Sequence, residues 1–253
     1  MVSLQIKKLS VSYADKPVIR EVSDLWQKGE VTVLIGCNGA GKSTFLQALA
    51  GLLPAQGDLT LDGKPLTQGA QRSQIAYLPQ DTSAHSSLTV LEVVLLGRLN
   101  RLGMRLPSDI VEEALEALEA FSLTDLHTCQ LDEISGGQRQ LVFLTQALFR
   151  QPRVLLLDEP TAALDLRHQL IVLEKLRHIV GQGDTIVGLA MHDLNLAAHY
   201  ADRMIGLSEG RTISVGSPAQ VLTSENLRHM YRIQAEITHV QGGRLNVVPL
   251  QAV

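Results

Sequence analysis

The run Val31-Thr32-Val33-Leu34-Ile35 passes directly into GCNGAGKS at residues 36–43, where two glycines bracket four residues and are followed by Lys42 and Ser43. Few short patterns constrain a fold so tightly: the apolar run reads as a buried strand, the glycines as a sharp turn, and residues 44–50 as a helix. Gly36, Gly39 and Gly41 let the chain fold back so that successive backbone N–H groups face inward, with Asn38 and Thr44 in the same loop. Such a nest opens onto a helix N-terminus carrying partial positive charge, and a triphosphate is its natural ligand. Lys42 would reach the outer phosphates as a point charge, and the Ser43 hydroxyl would serve Mg²⁺, which takes oxygen ligands in octahedral order.

The 253 residues, 45% of them hydrophobic, suffice for one large domain or two small ones. Apolar stretches such as residues 154–157 and 186–191 fall far short of the roughly 20 needed to cross a bilayer. Residues 1–13 alternate and lack the apolar core of a secretion signal, so the expected location is the cytosol. Cys37 and Cys129 show neither zinc nor disulfide-framework spacing. Lys plus Arg total 22 against 26 Asp plus Glu, a net charge of -4, and aromatics make up only 4%. With no positive excess and few rings to stack on, nucleic acid is not an expected partner.

Residues 2–6 and 31–35 read as strands, and residues 57–61 followed by Asp62-Gly63 as a hairpin. From residue 87 to 150 the spacing turns helical, with Glu112, Glu113, Glu116 and Glu119 forming a solvated face along residues 111–121, and a second apolar helix at 141–149. Continuous apolar strands return at 154–157 and 185–190 with a helix at 166–180 between them, the pattern of a parallel sheet buried on both faces.

Asp158 and Glu159 stand at the C-terminal end of the strand at 154–157, the edge where open α/β sheets gather ligands. Asp158 suits Mg²⁺, directly or through water, while Glu159 suits the polarisation of a water attacking a γ-phosphate. His192 follows the strand at 185–190 to the same edge and can donate to that phosphate; Gln80 ends the strand-like run 75–79 and can touch metal or water. Ser135-Gly136-Gly137-Gln138 precede a long helix whose first turn has bare N–H donors, a second phosphate site. A plain N-cap explains Ser135 but not two glycines followed by Gln138-Arg139-Gln140. Because this segment belongs to the helical middle third, two copies facing head to tail would bring it to the nucleotide.

In this order the motifs resemble the nucleotide-binding subunit of ATP-binding cassette (ABC) transporters over nearly the whole chain. The resemblance implies an α/β fold: a P-loop NTPase (RecA-like) core with a parallel sheet, an N-terminal antiparallel β subdomain and an inserted α-helical subdomain. Residues 1–253 would form one ABC ATPase domain, with the core and β subdomain at 1–85 and 154–222, the helical signature subdomain at 86–153 and a short tail at 223–253. ATP and Mg²⁺ are the implied cofactors. Tyr13 would stack on adenine, Gly36, Asn38, Gly39, Gly41, Lys42, Ser43 and Thr44 would hold phosphates, and Ser135, Gly136, Gly137 and Gln138 would cap the ATP of a second copy. Metal falls to Ser43, Gln80 and Asp158, catalysis to Glu159, His192 and Gln80, and a loop crossing the dimer interface to Ala163-Leu164-Asp165. Implied partners are that second copy in a homodimer, integral membrane permease subunits (usually two) and, indirectly, a periplasmic or extracellular substrate-binding protein. The implied location is the cytoplasmic face of the inner membrane.

Finer features resemble the importers of ferric siderophores, haem and cobalamin: Leu164-Asp165-Leu166-Arg167-His168-Gln169, the pair Gly97-Arg98, His192-Asp193-Leu194-Asn195, and the tail from Gly216 to Pro249 without an added regulatory domain. Cys37 departs by standing where Pro is common, Ile134 replaces Leu, and Leu141 and Gln146 replace frequent arginines. Cys37 is either an oxidation-sensitive thiol favoured by nearby N–H donors or a small side chain filling the loop. One rival class, an ABC ATPase with no membrane partner, calls for coiled-coil arms or paired cassettes. Another, an ATP-binding scaffold without turnover, sits poorly with Glu159 and His192.

Overall fold

The computed structural model of the chain describes residues 3–14, 16–82, 86–101, 108–183, 185–240 and 243–253; Val2 of the expected first strand and the 102–107 part of the expected helical stretch lie outside them. The antiparallel neighbours β1 (Ser3–Tyr13) and β2 (Lys16–Gln27) come first. Their inward residues change phase along the strand: Leu4 and Ile6 are buried, then Leu9 and Val11, and on β2 Ile19, Val22 and Trp26. Bulges cause the change. The register slips beside Lys8 and Glu21, both at positive φ, and the hydroxyls of Ser23 and Ser10 accept their N–H groups at 2.8 and 2.9 Å. A period of two breaks at such points, so the first sheet extends well past the strand expected at residues 2–6.

Next come β3 (Val31–Ile35), α1 (Lys42–Leu49), the hairpin of β4 (Gln56–Leu61) and β5 (Lys64–Pro65), α2 (Gln68–Gln74) and β6 (Ile75–Leu78). The helical segment holds α3 (Val90–Leu95), a 3-10 stretch (Leu96–Arg101), α4 (Ser108–Glu119) and α5 (Gly136–Phe149). Then follow β7 (Val154–Asp158), α6 (Leu166–Gln182), β8 (Ile186–Ala190), α7 (Leu194–Tyr200), β9 (Arg203–Ser208) and β10 (Arg211–Gly216). The tail consists of α8 (Pro218–Val221), α9 (Ser224–Tyr231) and a hairpin of β11 (Ile233–Val240) and β12 (Arg244–Ala252).

The central sheet runs β10-β9-β3-β8-β7-β6, parallel except for its antiparallel edge strand β10, and a separate antiparallel sheet runs β2-β1-β4-β5. Every residue of β3, β7 and β8 is buried, because successive side chains feed two different cores. Leu34, Leu156 and Ala190 join Trp26 and Phe45 on the side of the antiparallel sheet, while Val33, Ile35, Leu155, Leu157 and Leu189 join the core shared with α5 and α6. Gly188 makes room for Trp26, whose ring would collide with any Cβ there. Trp26 Nε1 in turn donates to Asp24 at 2.9 Å, and Asp24 pairs with Arg203 of β9, tying the two sheets together.

Since β3, β6, β7 and β8 are parallel, their C-terminal ends share one edge, from which the glycine loop, Gln80, Glu159 and His192 all depart. Main-chain bonds lace that edge: Glu159 N–H donates to Ala190 O at 3.0 Å and Met191 N–H to Leu34 O at 3.1 Å. In the helical segment Arg98 is buried over the Phe149 ring, 4.1 Å from its centroid, and pairs with Glu113. Glu113 thus belongs to an anchor rather than to a purely solvated face. Gly97 lets the 3-10 stretch approach α5, since a Cβ would stand 2.6 Å from Gln146 O. No helix among the described residues is long and apolar enough to cross a membrane.

Candidate functional site

A cleft of about 370 Å³ lies at the shared edge. Asn38, Gly39, Gly41, Lys42, Ser43 and Thr44 form one wall; Gln80, Glu159 and His192 face them, with Val18 at the side. Gly36 borders β9 so closely that a Cβ would strike Leu207 O. Gly41, at φ 103°, would bring a Cβ to 2.6 Å from Ile19 Cδ1, so a side chain fits neither its backbone nor its surroundings. It also begins α1 with no side-chain cap, leaving the first-turn N–H groups for a ligand.

Lys42 is buried, and its Nζ donates to the carbonyls of Gly36 at 2.8 Å and Cys37 at 3.2 Å. Burial lowers its pKa, an effect opposed by the charges of Glu159, Cys37 and Asp158. Opposite, Asp158 accepts from the Tyr77 hydroxyl on Oδ2 at 3.2 Å, while its Oδ1 is buried without a partner. Burial pushes the Tyr77 phenol well above its ordinary range, so it stays a donor at neutral pH. A buried carboxylate oxygen with no donor is what a hard cation would satisfy.

Glu159 directs both carboxylate oxygens to named partners: Gln80 Nε2 donates to Oε2 at 2.8 Å, and His192 Nε2 meets Oε1. Its side chain is 7% exposed against 44% for His192, so the histidine forms the solvent side of the pair. The Glu159 backbone is left-handed at φ 52°, and its carbonyl accepts from Gln140 Nε2 at 3.2 Å.

Ser135, Gly136, Gly137 and Gln138 do not line this cleft. Ser135 caps α5 in a reciprocal box with Gln138, its N–H donating to Gln138 Oε1 at 2.9 Å, and the space around Gly136 is open. Tyr13, 48% exposed at the end of β1, is also not among the cleft residues. In one chain, then, the phosphate loop meets Glu159, while Asp158 is buried and not among the residues lining the cleft, and the serine-glycine turn stands apart.

Tyr231 and Asn195 carry no local sequence signal for the contacts they make. The Tyr231 hydroxyl, at the end of α9, accepts the Gly36 N–H at 2.7 Å, and Asn195 exchanges two bonds with the Val247 backbone, at 2.7 and 3.4 Å. Tyr231→Phe leaves the first N–H of the glycine loop without its acceptor, at a cost of about 1–3 kcal/mol. The expected result is a lower melting temperature together with a KM for ATP raised several-fold, checked by thermal unfolding and ATPase titration; an unchanged KM would assign the hydroxyl to packing alone.

The buried parallel sheet, the glycine loop capping α1 and the facing carboxylates define a P-loop nucleoside triphosphatase. Residues 19–162 match the family model described as ABC transporter. A siderophore transport system ATP-binding protein of Bacillus subtilis is 35% identical over 246 residues, covering 94% of this chain and 89% of that protein. A hemin import ATP-binding protein of Myxococcus xanthus is 38% identical over 251 residues, covering 95% and 94%. Among solved structures, a metal-chelate type ABC transporter in an inward-facing conformation superposes with a TM-score of 0.84 at 28% identity, over 99% of this chain and 98% of that one. The chain belongs to the ABC transporter family, as an ATP-binding subunit with ATPase activity.

Proposed function

We propose that this subunit drives uptake of a metal chelate, namely a ferric siderophore, haem or cobalamin, through a separate membrane permease. ATP would be hydrolysed between two copies of the chain at the cytoplasmic face of the inner membrane. The observation that supports this most is the division of the phosphate-binding groups: Lys42, Ser43, Gln80, Glu159 and His192 share one cleft, and the bare N–H groups after Ser135 lie outside it. A second copy facing head to tail supplies them, so each ATP is gripped by one glycine loop and capped by the other chain's turn.

Within that site Lys42 binds the outer phosphates, Tyr13 stacks on adenine, and Glu159 takes the proton of the attacking water. Gln80 and His192 fix the Glu159 carboxylate, and His192 also reaches the γ-phosphate. Ser43, Gln80 and the unpartnered Asp158 Oδ1 fit Mg²⁺; no three His, Cys, Asp or Glu among the described residues are grouped so as to hold a metal ion by themselves, so phosphate and water would complete its ligands. When bound, the ion neutralises charge on the phosphate oxygens.

The permease is assigned to a cavity of about 820 Å³ beside Gln80, lined by Tyr77, Pro79, Arg98, Phe143 and Ala147, where the core meets the helical segment. The substrate class follows the names of the relatives and of the superposed transporter. The test is to purify the chain from membranes with its integral subunits, reconstitute them in vesicles, and measure ATPase activity with binding protein loaded with ferric siderophore, haem or cobalamin. Stimulation by one of the three is expected. A chain that hydrolyses ATP but copurifies with no integral subunit would be an ATPase not coupled to transport.

A further inference from the structure

On α5, Gln140 makes a polar contact that its own helix does not require. It lies a little over one turn beyond Ser135, is 2% exposed, and donates through Nε2 to the main-chain carbonyl of Glu159 at 3.2 Å, while its Oε1 is buried with no partner. A left-handed backbone at a non-glycine residue such as Glu159 persists where its neighbours over-determine it. Here Ala190 O accepts the Glu159 N–H at 3.0 Å, the Ala162 N–H shares the Glu159 carbonyl at 3.2 Å, and Gln140 adds the one of these three contacts that comes from the helical segment.

Given the head-to-tail sandwich proposed above, on which this role depends, we infer that Gln140 is a positioning residue coupling the N-terminus of α5 to the backbone of Glu159. Phosphate captured from a facing copy at Ser135 then sets the carboxylate in the same chain as the capturing turn. A helix moves as a rod, so drawing its N-terminus onto a phosphate carries Gln140 with it. The amide is bonded at one end only, which leaves it free to pivot, and a turn of the Glu159 peptide plane re-aims its side chain between Gln80 and His192.

Gln140→Met keeps the length and bulk of the side chain and removes the bond. In the purified full chain, ATP affinity by fluorescent-nucleotide titration should stay within about twofold of the parent, whereas kcat falls about tenfold, the scale of a slightly misplaced catalytic group. Combined with Ser135→Ala, the losses are expected to be non-additive, the double variant being no slower than the slower single one. A purely structural glutamine gives losses that multiply; that outcome, or an unchanged kcat, overturns the coupling. Gln140→Asn, which keeps the amide but is too short to reach, runs the same cycle if the Met variant does not fold. Sizing Glu159→Gln with ATP by light scattering tests the sandwich by itself. A monomer there removes the underlying reading, while a dimer with multiplying losses removes only the role of Gln140.

Discussion

Lys42→Ala is expected to weaken ATP binding at least about a hundredfold, measured by titration calorimetry on the purified chain. Among the described residues lining the cleft, Lys42 alone carries a fixed positive charge, and Glu159 and Asp158 stand close enough to act on it. Without it a triphosphate would enter a site whose remaining fixed charges are negative. Hydrogen bonds to charged groups are worth about 1.5–3 kcal/mol each, and every 1.4 kcal/mol is tenfold in affinity, so losing two of them reaches the hundredfold scale. Nucleotide-free stability should change little, because burial already opposes the charge on Lys42 and offsets what its bonds to Gly36 O and Cys37 O return. The same lowered pKa makes the affinity of the parent protein decline on the alkaline side sooner than an exposed lysine would dictate. Affinity retained within tenfold, in a variant that melts normally, would remove Lys42 from the phosphate site.

The elements that could be read from sequence are those whose physics is local. β3, β7 and β8 showed as unbroken apolar runs because both of their faces are buried, and α5 and α6 as helical spacing. β9 was not legible: its apolar run is only residues 204–207 between Arg203 and Ser208, and Gly206 there makes space for Met230 as Gly188 of β8 does for Trp26. β2 was hidden by the bulge at Glu21, and the exposed outer stretch of β12 lacks alternation altogether. In the cleft, Lys42, Gln80, Glu159 and His192 were legible because parallel strands deliver their C-terminal loops to one edge. Tyr77, Gln140 and Tyr231 were not. Their contacts join residues 19, 81 and 195 positions apart that only the folded chain brings together, and the sequence around each does not name its partner, although Gln140 follows a turn that a plain N-cap leaves unexplained.

Glu159→Gln should lower kcat by at least about a hundredfold, since a positioned general base contributes roughly 10²–10⁴ in rate. The replacement is nearly isosteric in a site that is already polar and satisfied: its carbonyl oxygen still accepts from Gln80, and its amide can donate to His192 in the neutral tautomer that accepts. Folding is therefore expected to stay close to that of the parent, as for Lys42→Ala, and so is ATP affinity, which Lys42→Ala loses. The two variants separate binding from turnover. With ATP and Mg²⁺ the Gln variant should accumulate as a dimer on size-exclusion chromatography, because in the proposed sandwich the γ-phosphate that would join a glycine loop to the opposing serine-glycine turn is not removed. ADP should leave it monomeric, having no γ-phosphate to bridge the copies. A Gln variant that hydrolyses ATP at the parent rate would show that another group takes the proton, and the roles given to Gln80 and His192 in holding that carboxylate would fall with it.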